Sequence, residues 1–328
     1  MRRRDFIAAV GGAAALPFAT RATSAQQPAM PVIGYLSERS FDAEAPLRVP
    51  FLKALEASGF ALGRNIAIDY SFADGRNDRL PLLAAELLQR QVTLLTAFGR
   101  PQAIAAKAAT ATVPIVFASG GDPVSDGLVN SLSRPGGNAT GVSVLTSELG
   151  PKRLALLREL LPKPGVIAFV AGPKSSTTQI QIKEMREAAE SLGQPLLVVE
   201  ANTEEQFSQA FATMSERNVV AILFAQSQYF QVISDRLIAL VARYRIPALY
   251  EWREFVTAGG LMSYSANRTE FASLAAMYVA RILKGEKPAD LPVVQSSQFV
   301  FTFNLRTAKA IGLDVPTSIL LRADEVIE

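Results

Sequence analysis

The 328-residue chain contains no cysteine and no histidine. The first absence removes thiolate nucleophiles, disulfides and thiolate metal ligands. The second removes the side chain that serves as a general base near neutral pH. There is also no GxxxxGK[ST] loop in the chain and no GxGxxG following its first apolar run, so no nucleotide cofactor is expected. Adjacent carboxylates such as Glu204 and Glu205 fall at an expected helix start, where acidic side chains suit the helix dipole. Neither a metal nor any other cofactor is implied, and the chain reads as a binder that performs no bond chemistry. Long polar tracts are missing too. With 49% hydrophobic and 19% charged residues the chain has a folded composition, and its length exceeds what one hydrophobic core usually supports. Two lobes are expected.

An excess of either charge is missing outside the first 25 residues. Arg2, Arg3, Arg4 and Arg21 against Asp5 account for the formal net charge of +3, which leaves the remainder neutral and without a basic footprint for nucleic acid. The same segment places RRRDFI before a weakly apolar stretch from Phe6 to Phe18, then Ala22-Thr23-Ser24-Ala25. That stretch is too short for a permanent span, and the pattern reads as a cleavable leader of the twin-arginine type, cut near Ala25. The ordinary secretory leader with a basic start is the alternative. Either route exports the protein.

From Val32 onward apolar runs alternate with helical patterns. Strands are expected at Val32 to Ser37, Ile66 to Tyr70, Thr93 to Phe98 and Pro114 to Ala118. A second set follows about 130 residues later at Val166 to Ala171, Leu196 to Glu200, Ala221 to Ala225 and Pro247 to Tyr250, with helices near 175–192, 204–217 and 228–244. Val113-Pro114-Ile115 and Ile246-Pro247-Ala248 introduce the fourth strand of each set, because an X-Pro step disfavours helix. This periodicity predicts an α/β protein of two Rossmann-like, doubly wound parallel-sheet lobes joined by a hinge of several crossovers. Residues 31–143 with about 262–290 are expected in the N-terminal lobe, and 144–261 with about 291–328 in the C-terminal lobe.

Four stretches carry a family resemblance: IVFASGGDPVSDGLVNSLSRPGGNATGVSV (115–144), WREFVTAGGLMSYSAN (252–267), RILKGEKPADLPV (281–293) and NLRTAKAIGLDVPTSILLRADEVI (304–327). Together they resemble the ABC transporter substrate-binding proteins of type I periplasmic binding protein fold, including branches similar to receptors for aromatic amino acids. The resemblance implies a receptor that binds a small organic solute between its lobes, carries no cofactor, works as a monomer and meets an ABC permease in the inner membrane. A subunit that reports ligand occupancy to a membrane signalling partner is the alternative reading, and an exported α/β enzyme a more distant one.

Doubly wound sheets bind ligands beyond the carboxyl ends of their strands. In the first lobe the loops there offer Ser37, Ser40 and Ser119 as hydroxyl donors or as helix caps. Arg100 is placed before Pro101 to hold a carboxylate in two hydrogen bonds or to sit in solvent. Asp122 faces an ammonium or shapes the GGDPV turn. In the second lobe the corresponding positions are Lys174 and Ser175, Gln226 and Tyr229, the single Trp252 with Arg253, and Tyr264. The aromatic and guanidinium groups among them suit a flat carboxylate-bearing solute.

Overall fold

The structure is a computed structural model that describes residues 30–144, 149–174 and 176–328. The leader expected over residues 1–25 and the candidate Ser175 lie outside the described residues.

The first lobe opens with β1 (Val32–Ser37), α1 (Ala45–Ala57), β2 (Ala67–Phe72), α2 (Leu80–Gln89), β3 (Leu94–Phe98), α3 (Arg100–Ala109), β4 (Ile115–Gly120) and β5 (Ala139–Val144). The second lobe takes up α4 (Leu149–Leu160), β6 (Val166–Ala171), α5 (Ser176–Ser191), β7 (Leu196–Glu200), α6 (Glu204–Glu216), β8 (Val219–Phe224), α7 (Gln228–Val232), α8 (Ser234–Tyr244), β9 (Ala248–Tyr250), α9 (Arg253–Thr257) and β10 (Met262–Ala266). The chain then returns to the first lobe with α10 (Arg268–Leu283) and β11 (Val294–Ser296). It ends in the second with β12 (Phe299–Asn304), α11 (Leu305–Ile311), α12 (Thr317–Arg322) and β13 (Glu325–Ile327).

The first sheet runs β11-β5-β4-β3-β1-β2, with each neighbouring pair parallel. Parallel strands covered on both faces become continuously apolar rather than alternating, as β3 does with all five residues buried. One face packs on α1 and α10 through Tyr35, Phe51, Phe98 and Val279, and the other on α2 and α3 through Leu36, Leu83, Ala103 and Phe117. Tyr35 stacks on Phe98 at 5.1 Å between centroids and Phe51 meets Phe98 edge-on at 5.4 Å. Such pairs contribute about 0.5–1.5 kcal/mol each beyond their buried area.

The second sheet runs β13-β12-β10-β9-β8-β6-β7 and is parallel except that β12 pairs antiparallel with β10. In each sheet the strand order reverses next to the first strand of that lobe: β1 lies between β2 and β3, and β6 between β7 and β8. The reversal opens a crevice at the carboxyl ends, where the helices on either side diverge. Chain segments leaving β1, β3, β6 and β8 therefore frame whatever lies between the lobes.

Among the described residues the chain changes lobe three times: it is in the first up to Val144 and in the second from Leu149, returns at Asn267, and leaves again between Ser296 and Phe299. The last two run together, and the Asn267 N–H donates to the Gln298 carbonyl at 3.0 Å. Their positions differ from the expected breaks at about 262 and about 291. β10 hydrogen-bonds to β9 and β12, so the chain leaves the second lobe only after Ala266; Val294–Ser296 pairs with β5, so it leaves the first only after Ser296. The helix expected over 228–244 is also divided. It is interrupted at Ile233, so that Phe230 is buried in the core while Tyr229 and Val232 reach the inter-lobe space.

Candidate functional site

A cavity of about 570 Å³ lies between the lobes at the two switch points. The first lobe contributes Glu38 and Arg39 after β1 and Phe98 to Pro101 around the end of β3. The second contributes Pro173 after β6, Gln226 to Ser227 and Tyr229 after β8, and Glu251 and Trp252 after β9. Arg268 and Phe271 of α10 also line it, beside the crossing at Asn267.

Local folding sets each group in place. Gly99 caps α3 with φ +131°, a conformation that favours glycine. A Cβ there would meet the Gln102 side-chain amide within 2.5–2.9 Å. Gln102 is fully buried and its Nε2 donates to the Phe98 carbonyl at 2.8 Å, closing the turn. Arg100 then projects from the first helical position. Both carboxylate oxygens of Asp126 accept from Arg100 Nε, at 2.9 and 2.8 Å, and Arg100 Nη2 also donates to Asp126 Oδ1. That bond raises the guanidinium pKa above its ordinary value.

After β1, the chain sets a buried carboxylate under the cavity wall. Glu44 accepts from the Tyr35 hydroxyl at 2.9 Å, the Ser37 hydroxyl at 3.0 Å and Arg39 Nη1 at 3.4 Å. Arg39 is thereby held with its Nε buried and unpartnered. Glu38 lines the cavity beside it; burial raises its carboxyl pKa, with Arg39 pulling the other way.

Across the cavity, the Gln226 N–H donates to Gln181 Oε1 at 2.7 Å and its carbonyl accepts from Gln181 Nε2 at 3.0 Å, which ties the loop after β8 to α5. Tyr229 stacks on Phe207 with rings 12° from parallel. Glu184 of α5 faces Arg100 from the second lobe. Burial raises its pKa and the Arg100 charge opposes that rise.

The most deeply buried charges meet at β9 and the start of α10. Asn267 caps α10 by accepting from the Thr269 and Glu270 N–H groups, each at 3.1 Å, which places Arg268 at the first helical position. The Arg268 guanidinium carbon sits 3.6 Å from the Trp252 ring centroid, and Nη1 donates to Glu254 Oε1 at 3.1 Å. Its Nε and Nη2, together with Trp252 Nε1, are buried without a partner. Burial lowers the Arg268 pKa to about 10, with the Arg39 charge adding to the effect. Glu251 is 5% exposed and accepts one bond, from the Ser227 N–H at 3.3 Å. Burial raises its carboxyl pKa to about 7 against the opposing pull of Arg268, Arg153 and Arg39. Arg153 of α4 is also buried; its Nε donates to the Tyr264 carbonyl at 2.8 Å and its Nη2 is unpartnered.

Of the residues expected from sequence, Arg100, Gln226, Tyr229 and Trp252 line one cavity. The remaining described candidates lie outside that lining. Ser37 is fully buried against Glu44, and Ser40 accepts from the Ala43 N–H at 3.4 Å as a turn cap. Ser119 is buried between cavity-lining Ala118 and Gly120 but does not line the cavity itself. Asp122 accepts from the Val124 N–H at 3.0 Å, which is the turn role. Lys174 is exposed outside the cavity, and Arg253 pairs with Glu325 in two hydrogen bonds on the outer surface. The Tyr264 ring stacks on Phe299 at 5.6 Å, away from the lining.

Glu38, Arg39, Glu251 and Arg268 were not among the expected residues. Glu38 and Arg39 follow β1 directly in SERS, and Glu251 follows β9 directly in YEW, so charge immediately after a buried strand was the available signal. Arg268 had a different one: a cation next to an Asn cap opposes the helix dipole.

A family model described as ABC transporter substrate binding protein matches residues 32–327. A curated relative, the tyrosine-binding protein of Clostridioides difficile (strain R20291), is 27% identical over 264 residues, which are 80% of this chain and 75% of the relative. Among solved structures, a conserved domain protein from Vibrio cholerae superposes with a TM-score of 0.80 at 25% identity, over 90% of this chain and 99% of that one. An ABC domain from Streptococcus pneumoniae in complex with L-Trp superposes at 0.79 and 23% identity, again over 90% and 99%, and shares the fold.

Proposed function

Because the chain belongs to the ABC transporter substrate binding protein family and has the type I periplasmic binding protein fold, we propose that it is the solute receptor of an ABC importer. It takes a small carboxylate-bearing aromatic solute between its lobes and presents the loaded form to a permease of the inner membrane. On this reading it is exported through the twin-arginine route, loses its leader near Ala25, and works as a monomer in the periplasm without nucleic acid or cofactor. Among the described residues no helix is long and apolar enough to cross a membrane.

One observation carries the ligand chemistry: four buried donor atoms, Arg39 Nε, Arg268 Nε and Nη2 and Trp252 Nε1, lack partners on residues that line one cavity. Burying such donors unpaired costs about 1–3 kcal/mol each, more when charged, so an acceptor-rich ligand is the economical occupant. Phe98, Tyr229, Trp252 and Phe271 supply the aromatic lining, and a cavity of about 570 Å³ is of the size that holds a small organic molecule. The tyrosine-binding relative supports an aromatic amino acid as the first solute to test.

Binding to both lobes favours the closed population by the difference in affinity between the two states. Solute released by denaturing the freshly purified protein is to be identified by mass spectrometry, and the unloaded protein screened by thermal shift against aromatic carboxylates and amino acids. A released aromatic carboxylate that raises the melting temperature supports the proposal; stability indifferent to every solute removes it.

A further inference from the structure

We infer that the cavity selects a zwitterion of the α-amino acid class, with Arg268 taking the carboxylate and Glu251 the ammonium. This rests on the binding role proposed above and narrows it, since a carboxylate alone would satisfy only one of the two groups.

Arg268 is poorly placed for stability. A cation at the first position of a sixteen-residue helix opposes the helix dipole, and its side chain is only 11% exposed. Trp252 beneath it and Glu254 at Nη1 fix the plane of the guanidinium. Two of its nitrogens are left buried and unused, beside the unused Trp252 Nε1.

Glu251 is the complementary case. It is almost wholly buried, forms no direct ion pair among the described residues, and has the Ser227 N–H as its hydrogen-bond donor. The charges that act on it are Arg268 from α10, Arg153 from α4 and Arg39 from the segment after β1, all through space. Opposite charges buried near one another gain most by contact. Here each is instead held from its own side, Arg268 by Trp252 and Glu254, Glu251 by the segment after β8, while both line the same cavity.

A dipolar head satisfies both at once. A plain carboxylate would reach Arg268 but bring a like charge towards Glu251, and a plain amine would do the reverse. Two buried polar groups left unpaired by an incomplete analogue are the usual source of strong discrimination.

Capture by Glu251 also carries a proton. Burial holds part of the carboxyl population protonated near neutrality. The arriving ammonium stabilises the carboxylate, so the carboxyl proton passes to the buffer and the ammonium keeps its own. Affinity therefore rises from about pH 6 to about pH 8, and up to one proton is released for each solute bound near neutrality.

Calorimetric titration of the full chain with L-tyrosine, its des-amino analogue hydroxyphenylpropionate and its decarboxylated analogue tyramine tests the inference, each in two buffers of different ionisation enthalpy. L-Tyrosine is expected to bind at least about tenfold more tightly than either analogue and to release protons. Glu251→Gln should lose that advantage and the proton release while binding hydroxyphenylpropionate at least as tightly as the parent does. Arg268→Gln should weaken both carboxylate-bearing probes and spare tyramine; circular dichroism checks that each variant is folded. Hydroxyphenylpropionate binding as tightly as tyrosine, or unchanged tyrosine binding and proton release in Glu251→Gln, overturns the inference. If tyrosine is not bound, the solute released from the purified protein decides: one lacking an amine overturns the inference while the receptor role stands, one with both groups upholds it, and no solute of any kind removes both.

Discussion

The guanidinium of Arg268 lies over the Trp252 ring, with Cζ 3.6 Å from the ring centroid, although the two side chains belong to different lobes. Trp252 is the only tryptophan in the chain, so its emission reports on the cavity wall. Trp252→Phe retains a ring but loses the Nε1 donor and the stronger cation–π partner. Affinity for L-tyrosine is expected to fall by about tenfold, corresponding to about 1–2 kcal/mol. In the parent protein the same titration should shift the emission. Full affinity in the variant, measured by calorimetry, would place Trp252 outside the binding surface.

Glu44 is a stability residue. Its carboxylate is fully buried and accepts from Tyr35, Ser37 and Arg39 together. Glu44→Ala leaves two buried hydroxyls and a largely buried guanidinium without their acceptor. Urea unfolding is expected to show a loss of about 3 kcal/mol.

The unliganded protein should carry a stability penalty that grows with pH because of Glu251. Its folded pKa is raised to about 7 by burial, above the unfolded value of an ordinary carboxyl. Between about pH 4.5 and about pH 7 the folded state therefore binds more protons than the unfolded state, so stability falls as pH rises through that window and levels off above it. The full effect is of the order of 3 kcal/mol. Paired carboxylates such as Glu325, whose pKa is lowered by its bond with Arg253, act in the opposite direction. The difference between parent and Glu251→Gln isolates the term: the variant should be the more stable at pH 8 and nearly equal to the parent at pH 4.5, by urea midpoints.

Arg253 provides the contrast. Its pair with Glu325 is bidentate, but the two side chains are 51% and 34% exposed, so solvent screens it. Arg253→Ala is expected to change stability by about 0.5 kcal/mol or less and to leave solute affinity unaltered.

Much of the fold was legible because parallel strands buried on both faces read as apolar runs, and because Pro114 and Pro247 mark the same point in both lobes. The short strands at Val294–Ser296 and Glu325–Ile327 were not legible, since three residues establish no period. The interruption at Ile233 was missed for a related reason: the apolar spacing continues across it.

The site was legible only in part. Trp252 and Tyr229 are rare side chains at strand ends, and position alone pointed to them. Arg100 lines the cavity, yet the carboxylate it holds is that of Asp126, twenty-six residues on, which no local pattern reveals. The group at Glu251 and Arg268 is brought together by a crossing between lobes. Such charges look like ordinary surface residues until folding buries them.

The claim that one solute touches both lobes is tested most directly by hydrogen exchange with and without L-tyrosine, or with the solute released from the purified protein. The account predicts slowed exchange in the segments around 38–40 and 98–101 of the first lobe and around 226–229 and 251–252 of the second, appearing together at one ligand concentration. Protection confined to one lobe, or absent from all four segments at saturating solute, would contradict it.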